Sequence, residues 1–147
     1  TMAGMHVAQW REVIGVSLDG FFAVVQPLLL PMTRTRWGRI IALSSVTARL
    51  GNRGQVNYAA AKAGLEGAVR SLAREVASRG ITVNAVAPGV IDSPATAGVM
   101  DRAQIAALVP ARRAGMPGEV AELVAFLASE QAGYITGQTI GINGGMV

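Results

Sequence analysis

The sequence predicts an α/β fold: a parallel sheet covered by helices on both faces. Three observations lead there. Short apolar runs of strand length, at 39–44, 81–87 and 138–142, alternate with long stretches of helical periodicity, at 9–36, 55–79 and 117 to about 129. The apolar runs are rich in Ile, Val and Ala with little polar alternation, as strands buried on both faces are. The connections between them are long enough for crossovers and too long for hairpins, which makes right-handed βαβ units of them.

In chain order, Trp10, Val13, Ile14, Leu18, Phe21, Phe22 and Val25 give the first helix an apolar face at helical spacing. Pro27 and Pro31 each remove a backbone donor, so a bend is expected in its second half. Gly38 admits the first strand, and a polar loop at 45–54 follows. The second helix opens with small residues (Ala59, Ala60, Ala61, Ala63, Gly64), a face built for close approach of another backbone. Gly80 stands where a helix C-cap needs a left-handed residue. The second strand stops at Pro88-Gly89. Residues 90–116 are irregular apart from a helical turn around 101–108, and Pro117-Gly118-Glu119 opens the third helix. No repeat or linker interrupts residues 1–147, which read as a single domain of about three strands and three main helices. Three strands leave two sheet edges open, so the chain looks like part of a larger fold.

Composition narrows the function. Hydrophobic residues make up 51% of the chain and charged residues 15%, which suits a large core and excludes a disordered tail. No apolar run reaches about 18 residues free of charge or proline, so no transmembrane helix is expected. Residues 1–6 carry no secretory pattern, and a cytoplasmic protein is expected. Cysteine is absent and His6 is the one histidine, which excludes thiolate chemistry and argues against a protein-built metal site. The net charge of +4 is spread over scattered arginines with few aromatics, so no nucleic-acid partner is expected. Twelve arginines stand beside a single lysine, Lys62.

That lysine has informative neighbours. The first strand delivers Ser45 to the carboxyl end of the sheet, where open α/β sheets build their sites. Tyr58 and Lys62 lie four residues apart on the second helix and share a face. A cation near a phenol favours the phenolate, so a tyrosine in this setting can protonate a carbonyl oxygen or take the proton back. Ser45 can hold the same oxygen. Alone, each residue has a plainer reading: a helical tyrosine–lysine pair on the surface, and a loop serine capping local backbone.

Taken with their surroundings, Ser45, Tyr58 and Lys62 within the run Asn57-Tyr58-Ala59-Ala60-Ala61-Lys62-Ala63-Gly64 resemble the catalytic core of the short-chain dehydrogenase/reductase family. Val83-Asn84-Ala85-Val86-Ala87-Pro88-Gly89 is similar to that family's strand and turn beside the nicotinamide, and 137–145 to its last strand. Gly51-Asn52, Gln55, the 72–76 run and Tyr134-Ile135-Thr136-Gly137 are most similar to its 3-oxoacyl-carrier-protein reductases. The resemblance implies a Rossmann-like doubly wound parallel sheet, of which this chain is the C-terminal part. It implies hydride exchange with a nicotinamide dinucleotide, NADP(H) ahead of NAD(H). It assigns cofactor contacts to Tyr58, Lys62, Pro88, Gly89, Ile91 and Ser93, the last standing where the family has threonine. Residues 92–116 become a mobile substrate lid whose Val99, Met100, Ile105 and Leu108 suit an acyl chain. Acyl carrier protein or an acyl thioester is the implied partner, with Arg36 and Arg79 as docking residues, although solvated arginines read as well there. A homo-oligomer, dimer or tetramer, is implied too.

Two departures from the family are visible. Its catalytic asparagine on the first helix aligns with Ser17, which implies a differently wired proton relay behind Lys62. Residues 1–10 show no glycine-rich turn, so the family's N-terminal cofactor-binding segment, roughly three βα units, is expected to be absent from the chain. The intact Ser45–Tyr58–Lys62 set favours a piece of an ordinary reductase over a truncated protein unable to bind cofactor alone. Two other functions remain open at this point: reduction of a different carbonyl (a steroid, sugar or small ketone), and a non-catalytic packing module.

Overall fold

The structure, a computed structural model, describes residues 1–94, 96 and 98–147. Its first long helix is continuous in three parts: α1 (Val7–Ile14), a π-helical turn (Gly15–Asp19) and α2 (Gly20–Thr35). Then follow β1 (Gly38–Leu43), a single helical turn α3 (Thr47–Leu50), α4 (Val56–Val76), β2 (Ile81–Pro88), α5 (Arg102–Leu108), α6 (Pro117–Ala128) and β3 (Thr139–Ile142). The three strands form one parallel sheet in the order β1-β2-β3. Gly38 pairs with Ile81 and Leu43 with Val86, and Ala85 to Pro88 pair with Thr139 to Ile142.

Side-chain alternation along the strands feeds two cores, as a sheet covered on both faces requires. Ile40, Ala42, Val83 and Ala85 meet Val25 of α2 and Leu65, Val69 and Ala73 of α4 in one layer. Ile41 and Val86 turn the other way and meet Leu127, Leu123 and Ala132. The doubly wound arrangement is therefore present in these three strands. The small-residue face of α4 serves as expected: a Cβ on Gly64 would lie 3.3 Å from Leu18 Cδ1 on the π turn. Gly80 closes the short 3-10 turn after α4 at φ 70°, and a Cβ there would stand 2.3 Å from the Arg36 carbonyl oxygen.

Three expectations need correction. The loop at 45–54 contains the turn α3, which follows directly from Ser45. The first helix changes hydrogen-bond register at 15–19, which the apolar spacing did not predict; Pro27 and Pro31 sit on the exposed side of a continuous α2, where freed carbonyls reach water. Phe22 does not belong to the inner face: it is 67% exposed, alongside Val16, Val24, Leu28 and Leu30. The helix is thus apolar on two sides, one buried in the core and one open. For that reason Val7–Thr35, 29 residues holding an 18-residue window with a mean hydropathy of 1.9, is long and apolar enough to cross a membrane by length and composition. In this fold its inner residues, Leu18, Phe21, Val25, Leu29 and Met32, pack on the sheet and α4 instead.

Candidate active site

The exits of β1 and β2 are tied together by Ser44 N–H donating to the Val86 carbonyl at 2.7 Å and Val46 N–H to the Pro88 carbonyl at 2.9 Å. Ser45 lies between those bonds, 9% exposed. Its Oγ accepts from Thr47 N–H at 3.2 Å at the start of α3, which fixes the hydroxyl oxygen and leaves its proton to donate. The local capping role and a catalytic role are therefore compatible at one atom.

Tyr58 and Lys62 stand one turn apart on α4, both half-buried. The Lys62 Nζ lies 5.6 Å from the Tyr58 ring centroid and donates to the Leu43 carbonyl at 2.7 Å. That bond ties the ammonium to the end of the strand that delivers Ser45. Half-burial lowers the Lys62 pKa below its ordinary value, because low polarity disfavours the charged form. Beneath this pair lies a second polar contact. Ser44 Oγ donates to the buried Glu66 carboxylate at 2.8 Å, and Glu66 in turn has Arg70 at 3.9 Å.

Ser17 falls inside the π turn, which packs against α4. Its hydroxyl makes no hydrogen bond to Ser45, Tyr58 or Lys62 among the described residues. A π turn is a common device at functional sites because it widens the helix by one residue and disturbs the backbone bonding there.

Pro88, at the end of β2, pairs with Ile142, and Gly89 N–H donates to the Ile142 carbonyl at 3.0 Å. A Cβ on Gly89 would lie 2.8 Å from Asn143 Cα, so the turn and the segment after β3 are in close backbone contact. Ile91 pairs with Gly115 in an isolated bridge. The Ser93 hydroxyl lies 3.1 Å from Thr96 Oγ1, which also bonds the Ile91 carbonyl. From this turn opens a cleft of about 910 Å³. Ser45, Gly89 and Ile91 line it; Tyr58, Lys62, Pro88, Ser93 and Ser17 are not among its lining residues. Val99, Met100, Ile105 and Leu108 all line it, as expected of the segment 92–116, within which Ala95 and Ala97 lie outside the described residues.

The whole chain, residues 1–147, matches the family described as "Enoyl-(Acyl carrier protein) reductase". The chain belongs to the short-chain dehydrogenase/reductase family. Among its relatives, the "3-oxoacyl-[acyl-carrier-protein] reductase FabG" of Escherichia coli (strain K12) is 53% identical over 144 residues, 97% of this chain and 59% of the relative. The proteins of that name from Salmonella typhimurium (53% identical) and Pseudomonas aeruginosa (50%) each match 94% of this chain and 57% of their own length. The chain thus spans well under two thirds of the curated relatives it matches.

Within this short-chain reductase frame, the sequence left several site residues unread. Glu66 follows Lys62 by four residues and so shares its face, yet a charged residue on a helix reads as solvated. Arg102, Arg112, Met116 and Met146 reach the cleft only through the path of 92–116 and of the segment after β3. Arg36 and Arg79 are at the other end of the sheet. The Arg36 guanidinium donates to the Ser78 carbonyl at 3.1 Å, where β1 and β2 begin, and at about 3.3 Å per residue the six residues of β1 set them roughly 20 Å from the cleft.

Proposed function

We propose that this chain supplies the catalytic residues for reduction of a 3-oxoacyl thioester, carried on acyl carrier protein, to the 3-hydroxyacyl form. The observation that carries the reading is the bond from Lys62, one turn from Tyr58, to the end of the strand that delivers Ser45 to the cleft, in a chain about half identical to reductases named for that substrate. The cofactor is a nicotinamide dinucleotide, NADP(H) ahead of NAD(H). The donors present suit it: of three Lys62 protons one is spent on Leu43, leaving two for ribose hydroxyls. Tyr58, Pro88, Gly89, Ile91 and Ser93 complete the nicotinamide side. When bound, the cofactor supplies hydride to the C3 carbonyl carbon.

The chain's own residues handle the oxygen. Ser45 donates its free proton to the substrate carbonyl oxygen, while its Oγ stays anchored by Thr47 N–H. Tyr58 transfers its phenolic proton to that oxygen as negative charge develops on it. The neighbouring ammonium of Lys62 stabilises the phenolate left behind. Ser17, on the π turn, completes the set by binding water that returns a proton toward Lys62. Carbonyl, hydride and proton together balance to the alcohol.

Self-association accompanies this reading. Val16, Phe22, Val24, Leu28 and Leu30 leave a broad exposed apolar face of the kind that marks an interface, and a homo-oligomer, dimer or tetramer, would cover it. Carrier-protein docking at Arg36 and Arg79 would then serve the cleft of an adjoining copy, a strand's length being too far within one chain. A cytoplasmic setting belongs to the same proposal.

The test is turnover of an acetoacetyl thioester by the natural protein with NADPH and with NADH. Tyr58→Phe should lower kcat by about 10² to 10⁴ while circular dichroism stays unchanged. Full activity in Tyr58→Phe would refute the mechanism. Turnover of a steroid, sugar or small ketone with thioesters ignored would move the reading to another carbonyl. Absence of both turnover and cofactor binding would leave a packing module.

A further inference from the structure

The apolar wall of the cleft ends in a rim that carries three arginines, Arg102, Arg112 and Arg113. They are not equivalent. Arg113 is held by the Glu119 carboxylate through two bonds of 2.8 and 2.7 Å, so its charge is answered within the chain. The guanidinium groups of Arg102 and Arg112 have no hydrogen bond or ion pair among the described residues. Asp92 is the one carboxylate among the described residues lining the cleft. The rim therefore presents two free cations against one anion.

Arg112 carries a second mark. Its backbone sits in the left-handed region at φ 59°, shared among described non-glycine residues only with Arg36. A long side chain there is uncommon, and such a conformation persists where the surroundings over-determine it. They do so here. Arg112 N–H donates to the Val109 carbonyl at 2.7 Å, Ala111 N–H to the Gly144 carbonyl at 2.9 Å, and Arg113 is clamped by Glu119. The turn is fixed on both sides, and it fixes where the Arg112 side chain meets the cleft.

We propose that Arg102 and Arg112 form an anion-binding rim that takes the phosphate of a phosphopantetheine-type arm while its thioester lies in the apolar cleft. This rests on the thioester reading above. A guanidinium fork matches phosphate oxygens in two-point geometry, and an apolar acyl group attached to a distant anion matches an apolar wall ending in cations. The basic pair Arg36 and Arg79 lies at the opposite end of the sheet and does not share this task within the chain.

The experiment compares kcat/KM for acetoacetyl-4′-phosphopantetheine and acetoacetyl-pantetheine, which differ by the phosphate alone. It uses the natural protein and its Arg112→Gln, Arg102→Gln and double variants. Arg112→Gly, which suits the left-handed turn, guards against misfolding as the cause of any loss. The wild type should prefer the phosphorylated thioester by about tenfold, the worth of one charge-assisted hydrogen bond. The preference should fall toward one in the double variant and in Arg112→Gly, through KM. A preference that survives in the double variant, or a wild type that treats both thioesters alike, overturns the rim and leaves the reductase reading standing. A folded wild type that reduces neither thioester overturns both.

Discussion

Ser44 and Glu66 offer a quantitative test of how the site is braced. The Glu66 carboxylate is 6% exposed, and its close partner is the Ser44 hydroxyl at 2.8 Å. Arg70, at 3.9 Å with a side chain 58% exposed, adds little. Ser44→Ala removes a hydrogen bond to a charged group and strands the carboxylate, at about 2 kcal/mol. Glu66→Leu removes the buried charge and leaves Ser44 Oγ the Lys62 carbonyl, 3.4 Å away, as a weaker acceptor, so about 1 kcal/mol is expected. The double variant loses donor and acceptor together and should fall near wild-type stability or above it. The coupling is then on the order of 2 to 3 kcal/mol, well beyond the additivity error of roughly 0.5 kcal/mol. Urea unfolding of the natural protein and its three variants measures each corner of the cycle. Single losses below about 0.5 kcal/mol, or losses that simply add, would refute the brace.

Two further outcomes follow from the fold. Gly80→Ala puts a Cβ 2.3 Å from the Arg36 carbonyl oxygen at φ 70°; left-handed strain and overpacking together predict a loss of about 2 to 5 kcal/mol, and a urea-midpoint change equivalent to less than about 1 kcal/mol would contradict it. The Glu119 pKa is lowered from 4.5 to about 2, first by the hydrogen bond donated by Arg113 and then by that donated by Met116 N–H. Because the folded-state value is depressed, this carboxylate stabilises the fold above about pH 4.5 and ceases to as pH falls toward 2. Glu119→Gln should therefore flatten the acid limb of stability in that window, read by circular dichroism during acid titration.

How far the sequence spoke depended on the range of the physics involved. The strands, the cap at Gly80 and the small-residue face at Gly64 rest on local pattern, and the structure agrees at each. Tyr58 and Lys62 were legible for the same reason, since helical geometry alone puts them on one face. The π turn was not legible: it is a change of hydrogen-bond register, and the apolar spacing of Val13, Ile14, Leu18 and Phe21 reads alike with or without it. Phe22 was misassigned because a helix apolar on two sides gives no contrast by which its inner face can be told. Arg102 and Arg112 were invisible as a pair because irregular backbone, not periodicity, brings them to one rim.

The same distinction bears on function. The residues proposed for proton transfer sit on α4 and just past the end of β1, tied by Lys62 to the Leu43 carbonyl and by Ser45 to Thr47 N–H. The residues proposed to meet the substrate lie on the irregular stretch between β2 and α6, anchored by a few backbone bonds such as Ala111 N–H to the Gly144 carbonyl and Gly115 N–H to the Val90 carbonyl. Changing a lid residue therefore leaves the proton-transfer geometry intact, whereas changing a strand or helix residue disturbs both. On the proposed reading, chemistry rests on one set of elements and selectivity on another, so arginine or methionine changes on the rim should alter substrate preference without altering proton transfer. Arg112, held against its backbone preference by bonds on either side, is where that division is most exposed to experiment.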